Sequence, residues 1–269
     1  MVMTPSIFLN FLFPPPPSSF VTTMSVIGIS SLTCAGYLES KGMHMRYSKF
    51  VNEGVTKIKS EIKFSSRTGM LLFYTPAFLG GLSSFHVFPN HDLRFMLLAS
   101  ALTVHFLKRV LEVLFLHKYS GSIGLESAIV VILSYTLSTV TMIYAQYLSR
   151  DFPNPQVDLK YVGVGLFLIG ITGNFYHHYL LANLRKEGDK EYKIPKGGLF
   201  DLVICPHYLF EIIGYVGVAC ISQTAYAFAF TLGTVFYLMG RSHATREWYL
   251  TKFGDSFPKD VKAFIPYVF

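Results

Sequence analysis

The run from Leu209 to Gly240, L-F-E-I-I-G-Y-V-G-V-A-C-I-S-Q-T-A-Y-A-F-A-F-T-L-G-T-V-F-Y-L-M-G, decides how often the chain crosses a bilayer. It is too long for one crossing, because about 20 apolar residues already span a hydrocarbon core of roughly 30 Å. Its polar break is Ser222-Gln223, which predicts two short helices. Upstream, apolar runs extend over about Phe20–Leu38, Gly69–Phe85, Leu93–His117, Ile123–Leu148 and Leu159–Leu184. Pro76 and Gly80-Gly81 interrupt the second run, which neighbouring helices can tolerate by covering the freed backbone groups. The expectation is an all-α polytopic membrane protein with about seven transmembrane helices.

Composition agrees. The chain is 51% hydrophobic and 14% charged, with mean hydropathy +0.41, whereas soluble domains carry about 25% charged residues. A net charge of +7 would suit a nucleic acid, but the cations lie in loops between apolar runs, so no nucleic-acid partner is expected. With the N-terminus in the lumen, all of the 23 Lys and Arg residues except Arg94, Arg150 and Lys160 fall on the cytosolic side. That is the bias expected of cytoplasmic loops, and it puts the C-terminus in the cytosol. Pro14 to Pro17 read as a rigid entry to the bilayer, and Met1 to Phe20 lacks the basic region of a secretory signal. Cys34, Cys205 and Cys220 form neither a disulfide framework nor a zinc pattern.

Upstream of the decisive run lies P-K-G-G-L-F-D-L-V-I-C-P-H-Y-L-F-E, Pro195 to Glu211. The paired glycines permit a sharp bend, and Pro206 suits the first turn of a helix. Behind it, Tyr208, Glu211 and Tyr215 share one helical face. Further polar stripes lie on other helices: His105, Arg109 and Glu112; Asn174, His178 and Arg185; Arg241, Thr245 and Tyr249. Ionisable groups inside spans face one another or a watery cavity. Three stripes near one leaflet therefore predict a polar cavity open to the cytosol. Around it cluster Arg109, Arg185, Lys193, Lys196, Arg241 and Arg246, and arginine forks suit phosphate oxygens. No G-x-G-x-x-G follows a strand, and neither a P-loop nor H-E-x-x-H occurs. Adjacent His177 and His178 diverge on a helix, so no metal site is expected.

The stretch at 195–211 is similar to the signature of the steroid 5-alpha-reductase family. So are R-S-H-A-T-R-E-W-Y-L-T-K-F-G-D-S-F-P-K from Arg241 to Lys259 and the closing I-P-Y-V-F. The resemblance implies NADPH-dependent reduction of a carbon–carbon double bond conjugated to a carbonyl, in the endoplasmic reticulum membrane. It implies N-terminal transmembrane helices on the substrate side over 1–110 and a cofactor-binding C-terminal domain over 111–269. It assigns cofactor contacts to Arg109, Asn174, Arg185, Tyr192, His207, Glu211, Arg241 and Tyr249. Tyr74, Tyr208 and Tyr249 are the candidate catalytic donors to the carbonyl. His207 stands where relatives carry Asn, His178 where the steroid enzymes carry Asp, Tyr74 at their Glu and Phe106 at their Tyr. H-F-L-K-R-V-L-E-V-L-F-L-H-K-Y-S, from His105 to Ser120, instead resembles the trans-2-enoyl-CoA reductases. The substrate is therefore a lipid, steroid or enoyl-CoA. A non-catalytic lipid-binding protein is the alternative of another class, and protein partners are not specified by the residues.

Overall fold

Helix α6 (Pro206–Ser222) ends where Gln223 turns left-handed, with φ 49° and ψ 28°. Helix α7 (Ala225–Phe253) begins after Thr224, whose side chain accepts from the Ala227 amide. The expected break at Ser222-Gln223 is thus a change of backbone hand. Beyond Gly240, where the apolar run stops, α7 continues to Phe253. Its 29 residues reach about 44 Å at 1.5 Å per residue, more than a hydrocarbon core is thick.

The structure is a computed structural model describing residues 10–45, 47, 50, 62–89, 92–119, 121–184 and 191–269. The other helices are α1 (Ser19–Ser40), α2 (Ser66–Val87), α3 (Leu93–Leu111), α4 (Leu125–Leu148) and α5 (Lys160–Asn183). A π-helical turn, Glu112–Leu116, prolongs α3. The fold is mostly helical, not wholly so. Strand β1 (Lys63–Ser65) pairs antiparallel with β2 (Ser122–Gly124), and Val203 bridges Lys262 where the C-terminal tail folds back. Short ribbons of this kind give no period-2 signal long enough to read.

Helices α1, α2 and α4 are each long and apolar enough to cross a membrane. The remaining four carry the polar groups described below or, like α6 with 17 residues, are short. Arg94, Lys108 and Arg109 lie on α3, Asn174, His177 and His178 on α5, and Arg241 on α7. The residues that blur the hydropathy are those that meet inside the bundle.

Glycine allows two helix pairs to approach backbone to backbone. A Cβ on Gly240 of α7 would lie 1.9 Å from the Gly36 carbonyl oxygen of α1, and one on Gly170 of α5 would lie 2.3 Å from the Gly214 nitrogen of α6. Small residues at such seams gain dispersion contact that lipid cannot replace. Gly240→Ala should force α1 from α7 and cost roughly 1–3 kcal/mol, read as earlier thermal unfolding in detergent. Gly28→Ala on α1, where a Cβ meets nothing within 4 Å, should leave unfolding unchanged or slightly later.

A polar knot holds the end of the bundle where α6 turns into α7. Gln223 donates to the Phe11 carbonyl at 2.6 Å and the Val157 carbonyl at 2.9 Å, and accepts from Leu159 N at 2.8 Å. Buried Arg94 donates to Gln223 Oε1 at 2.9 Å, to the Ile221 carbonyl at 2.8 Å and to Asp158 at 2.8 Å. Burial would raise the Asp158 carboxyl, but hydrogen bonds from Lys160 and Arg94 win and hold it at about 2.

Candidate active site

In the last turn of α3, Lys108 and Arg109 reach a carboxylate that follows them. Glu112 accepts from Lys108 at 2.8 Å and from Arg109 at 2.8 Å, the i,i+4 and i,i+3 spacings that bring helical side chains together. His178 on α5 donates to the same carboxylate, its Nδ1 lying 3.1 Å from each oxygen. The π-helical turn begins at Glu112, and such turns recur at functional sites because they re-aim side chains.

Two arms leave this hub. Arg109 Nη2 donates to the Tyr74 hydroxyl at 2.6 Å, with the guanidinium 4.7 Å over the Tyr74 ring. In the other direction, Lys108 donates to the Asn174 side-chain oxygen. Asn174 Nδ2 donates to the His207 carbonyl at 2.8 Å and approaches Glu211 Oε2 at 3.5 Å. A continuous polar chain therefore runs Tyr74–Arg109–Glu112–Lys108–Asn174–Glu211, through α2, α3, α5 and α6.

Its Tyr74, Arg109 and Glu211 reach the wall of a cavity of about 340 Å³, while Glu112, Lys108 and Asn174 link them from behind. Tyr74, Arg109, His178 and Glu211 face this space. So do His207, Tyr208, Tyr249 and Tyr192, the last edge-on to Trp248 at 4.8 Å. Lys118, Tyr119 and Lys193 contribute further lining from loops. Burial raises the Tyr119 phenol above its ordinary value, so it stays protonated at neutral pH. The paired glycines of the signature have φ +85° at Gly197 and +55° at Gly198, positions that L side chains resist. They bring Leu199 N to His177 Nε2 at 3.1 Å while His177 Nδ1 donates to the Gly173 carbonyl at 2.7 Å. One His177 nitrogen thus accepts from the turn and the other is tied to its own helix.

Several expected residues are placed differently. His105 packs on Phe106 and Tyr215, with ring centroids 4.9 and 5.2 Å away, and does not line the cavity. Arg185 lies outside the described residues. Arg246 donates to the Val261 and Lys259 carbonyls and fastens the tail. Arg241 borders the cavity, but its Nη1 donates to Glu39 of α1 at 2.7 Å, and its nitrogens reach the Met45 and Tyr47 carbonyls at 3.4 and 3.3 Å. Its guanidinium is sandwiched by the Tyr47 and Phe50 rings at 4.3 and 4.2 Å. Phe106 is 1% exposed and stands off the cavity wall. Lys108 is the member that sequence reading missed, and its i,i+4 spacing to Glu112 was the available signal.

Glu112, His117 and His178 bring ligand atoms within 4.8 Å of one another. Lys108 and Arg109 already neutralise that carboxylate and would repel a divalent ion, so the cluster is an ion-pair hub.

Among known proteins, residues 125–269 match the family model described as 3-oxo-5-alpha-steroid 4-dehydrogenase. A steroid 5-alpha-reductase of Gossypium hirsutum is 46% identical over 107 residues, 40% of this chain and 42% of that protein. The 3-oxo-5-alpha-steroid 4-dehydrogenase 1 of Homo sapiens is 43% identical over 108 residues, 40% of this chain and 41% of that protein. A very-long-chain enoyl-CoA reductase of Dictyostelium discoideum is 30% identical over 166 residues, 62% of this chain and 55% of that protein. The chain thus matches between 41% and 55% of the length of these relatives.

Proposed function

Because the chain belongs to the 3-oxo-5-alpha-steroid 4-dehydrogenase family, we propose that it is an NADPH-dependent membrane reductase of a carbon–carbon double bond conjugated to a carbonyl in a lipid. The observation that carries this reading is the polar chain that joins Tyr74 and Arg109 to Glu211, the three of which face one cavity. A 3-oxo steroid is the first substrate reading. A long-chain trans-2-enoyl-CoA is the second, favoured by the Lys108–Glu112–His178 hub in the stretch that resembles enoyl-CoA reductases and by the longer match to such a protein.

The residues present suit NADPH. Glu211 is a carboxylate facing the cavity whose one hydrogen bond among the described residues is the 3.5 Å contact to Asn174, so it can accept from an amide or hydroxyl. Thr245 Oγ1 also borders the cavity and is buried without a hydrogen-bond partner among the described residues. Lys118 and Lys193 bring positive charge for phosphates. In this reading Glu211, His207, Tyr192 and Tyr249 hold the cofactor, with Arg109 beside them on the wall, Asn174 positioning Glu211 and the His207 carbonyl from behind, and Arg185 at the basic loop. NADPH, when bound, supplies the hydride that forms the new C–H bond at the β-carbon.

The protein's own groups manage charge and protons. Tyr74 donates its O–H to the carbonyl oxygen, where the electron pair of the double bond arrives. Arg109 donates to the Tyr74 oxygen and so favours charge moving onto the phenol. A proton then completes the α-carbon, with Tyr208 or Tyr249 as donor, replenished from cytosolic water. Purified protein with NADPH, offered one conjugated 3-oxo steroid and one long-chain trans-2-enoyl-CoA, should reduce one of them. Reduction of neither, with NADPH bound or not, would sink the reading and move weight to a lipid-binding protein.

In this reading the cofactor is supplied from the cytosol, the C-terminus is cytosolic as the Lys and Arg bias suggests, and the membrane is that of the endoplasmic reticulum, as the family resemblance implies. Seven crossings put the two ends of the chain on opposite sides. A glycosylation acceptor appended to the N-terminus should be modified and one at the C-terminus should not. A glycosylated C-terminus would overturn the orientation and the cytosolic supply of cofactor together.

A further inference from the structure

Tyr135 on α4 lies outside every motif and outside the polar chain, yet it faces the same cavity. Its ring stacks obliquely on the Tyr74 ring, with centroids 5.6 Å apart and planes 35° apart. On its other side it meets the buried Phe106 ring at 5.6 Å. Tyr135 therefore stands between Phe106 and the cavity. Among the described residues its hydroxyl has no hydrogen-bond partner, whereas the neighbouring Tyr74 oxygen is held by Arg109. A phenol on the cavity wall that no protein group matches is open to an acceptor brought by a ligand.

We propose that Tyr135 is a second hydrogen-bond donor to the substrate carbonyl, acting beside Tyr74, so that α4 sets which carbonyl compounds the site accepts. This rests on the reductase reading of the same cavity. The two phenols differ in kind. Tyr74 is polarised by a cation, while Tyr135 is fixed only by packing against two rings, so it places a donor without a charge behind it. Two preorganised donors aimed at one developing oxyanion are the arrangement that lowers an enolate-forming barrier. The ligand class is an α,β-unsaturated ketone or thioester whose carbonyl oxygen enters between α2 and α4.

The test compares parent and Tyr135→Phe, which removes one oxygen and keeps the ring. Two probes are titrated in detergent, a conjugated 3-oxo steroid and the same steroid skeleton lacking the oxo group, with turnover measured on the former and on a long-chain trans-2-enoyl-CoA. The variant should bind NADPH and unfold as the parent does. Its affinity should fall about tenfold for the oxo probe and stay unchanged for the oxo-free one, and kcat/KM should fall about 10²-fold on whichever substrate the parent reduces. Phe106→Tyr should restore nothing in that background, because position 106 is off the wall. Equal loss on both probes, or loss of thermal stability with the probe preference intact, would assign Tyr135 to packing and overturn the inference. If the parent reduces neither compound, the reductase reading fails, and the binding comparison still decides whether Tyr135 meets a carbonyl.

Discussion

Arg241→Ala is expected to lower stability by roughly 3–5 kcal/mol, more than Gly240→Ala at the neighbouring seam. The ion pair it breaks is almost wholly buried, with Arg241 and Glu39 side chains 2% and 1% exposed. Removing the guanidinium leaves the Glu39 carboxylate in the interior with, among the described residues, His44 Nδ1 at 2.8 Å and the Met45 amide at 3.0 Å for partners. It also releases the Met45 and Tyr47 carbonyls and empties the slot between the Tyr47 and Phe50 rings. The same pair ties α1 to α7 just beyond the Gly36–Gly240 seam. A double replacement, Glu39→Leu with Arg241→Met, should recover most of the loss, because two apolar groups need no desolvation. Thermal unfolding in detergent measures both. An Arg241→Ala protein that unfolds like the parent but no longer binds NADPH would return Arg241 to the phosphate-binding role implied by the motif.

Tyr74→Phe is expected to cut kcat/KM by about 10²–10³, equivalent to roughly 2.7–4 kcal/mol of transition-state stabilisation. The substitution keeps the ring that stacks on Tyr135 and lies under the Arg109 guanidinium, so the fold should be retained. What disappears is the oxygen that accepts from Arg109 at 2.6 Å and carries a proton whose protein acceptor is the weak Met70 Sδ at 3.9 Å. Losing a donor used in the transition state lowers kcat more than it raises KM. NADPH affinity should not move under the proposed reading, in which the opposite end of the polar chain, at Glu211, serves the cofactor. A variant that keeps full turnover would transfer the donor role to Tyr208 or Tyr249, and a variant that loses NADPH binding instead would show that Tyr74 belongs to the cofactor side.

The sequence by itself determined the class of protein and most element positions. Apolar runs bounded by Ser18, Asp92 and Thr224 become capped helices because each of these side chains accepts from a backbone amide in the first turn. The break at Ser222-Gln223, the glycine turn at 197–198 and the helix-opening Pro206 were legible because their backbone demands are local. The candidate site was partly legible for the same reason. Glu112 and Lys108 are neighbours on one helix, and Tyr208 and Glu211 share a face, so spacing alone places them.

Partnership across helices was decided only by the tertiary structure. Arg241 and Glu39 are 202 positions apart, and nothing in either local pattern shows that α1 and α7 touch there. A cation in a polar stripe reads equally as a phosphate ligand or as half of a buried pair. Burial and the nearest carboxylate choose between them. His105 and Arg109 lie one turn apart on α3, yet helix packing turns one onto Tyr215 and the other into the cavity. Tyr135 carries no sequence signal, because a tyrosine in an apolar run is ordinary lipid-facing composition until the packing of α4 against α2 brings its ring against Tyr74. Period and propensity are properties of one helix, whereas the cavity is a property of how several helices meet, and that is set by where glycine lets backbones touch and where buried charges find one another.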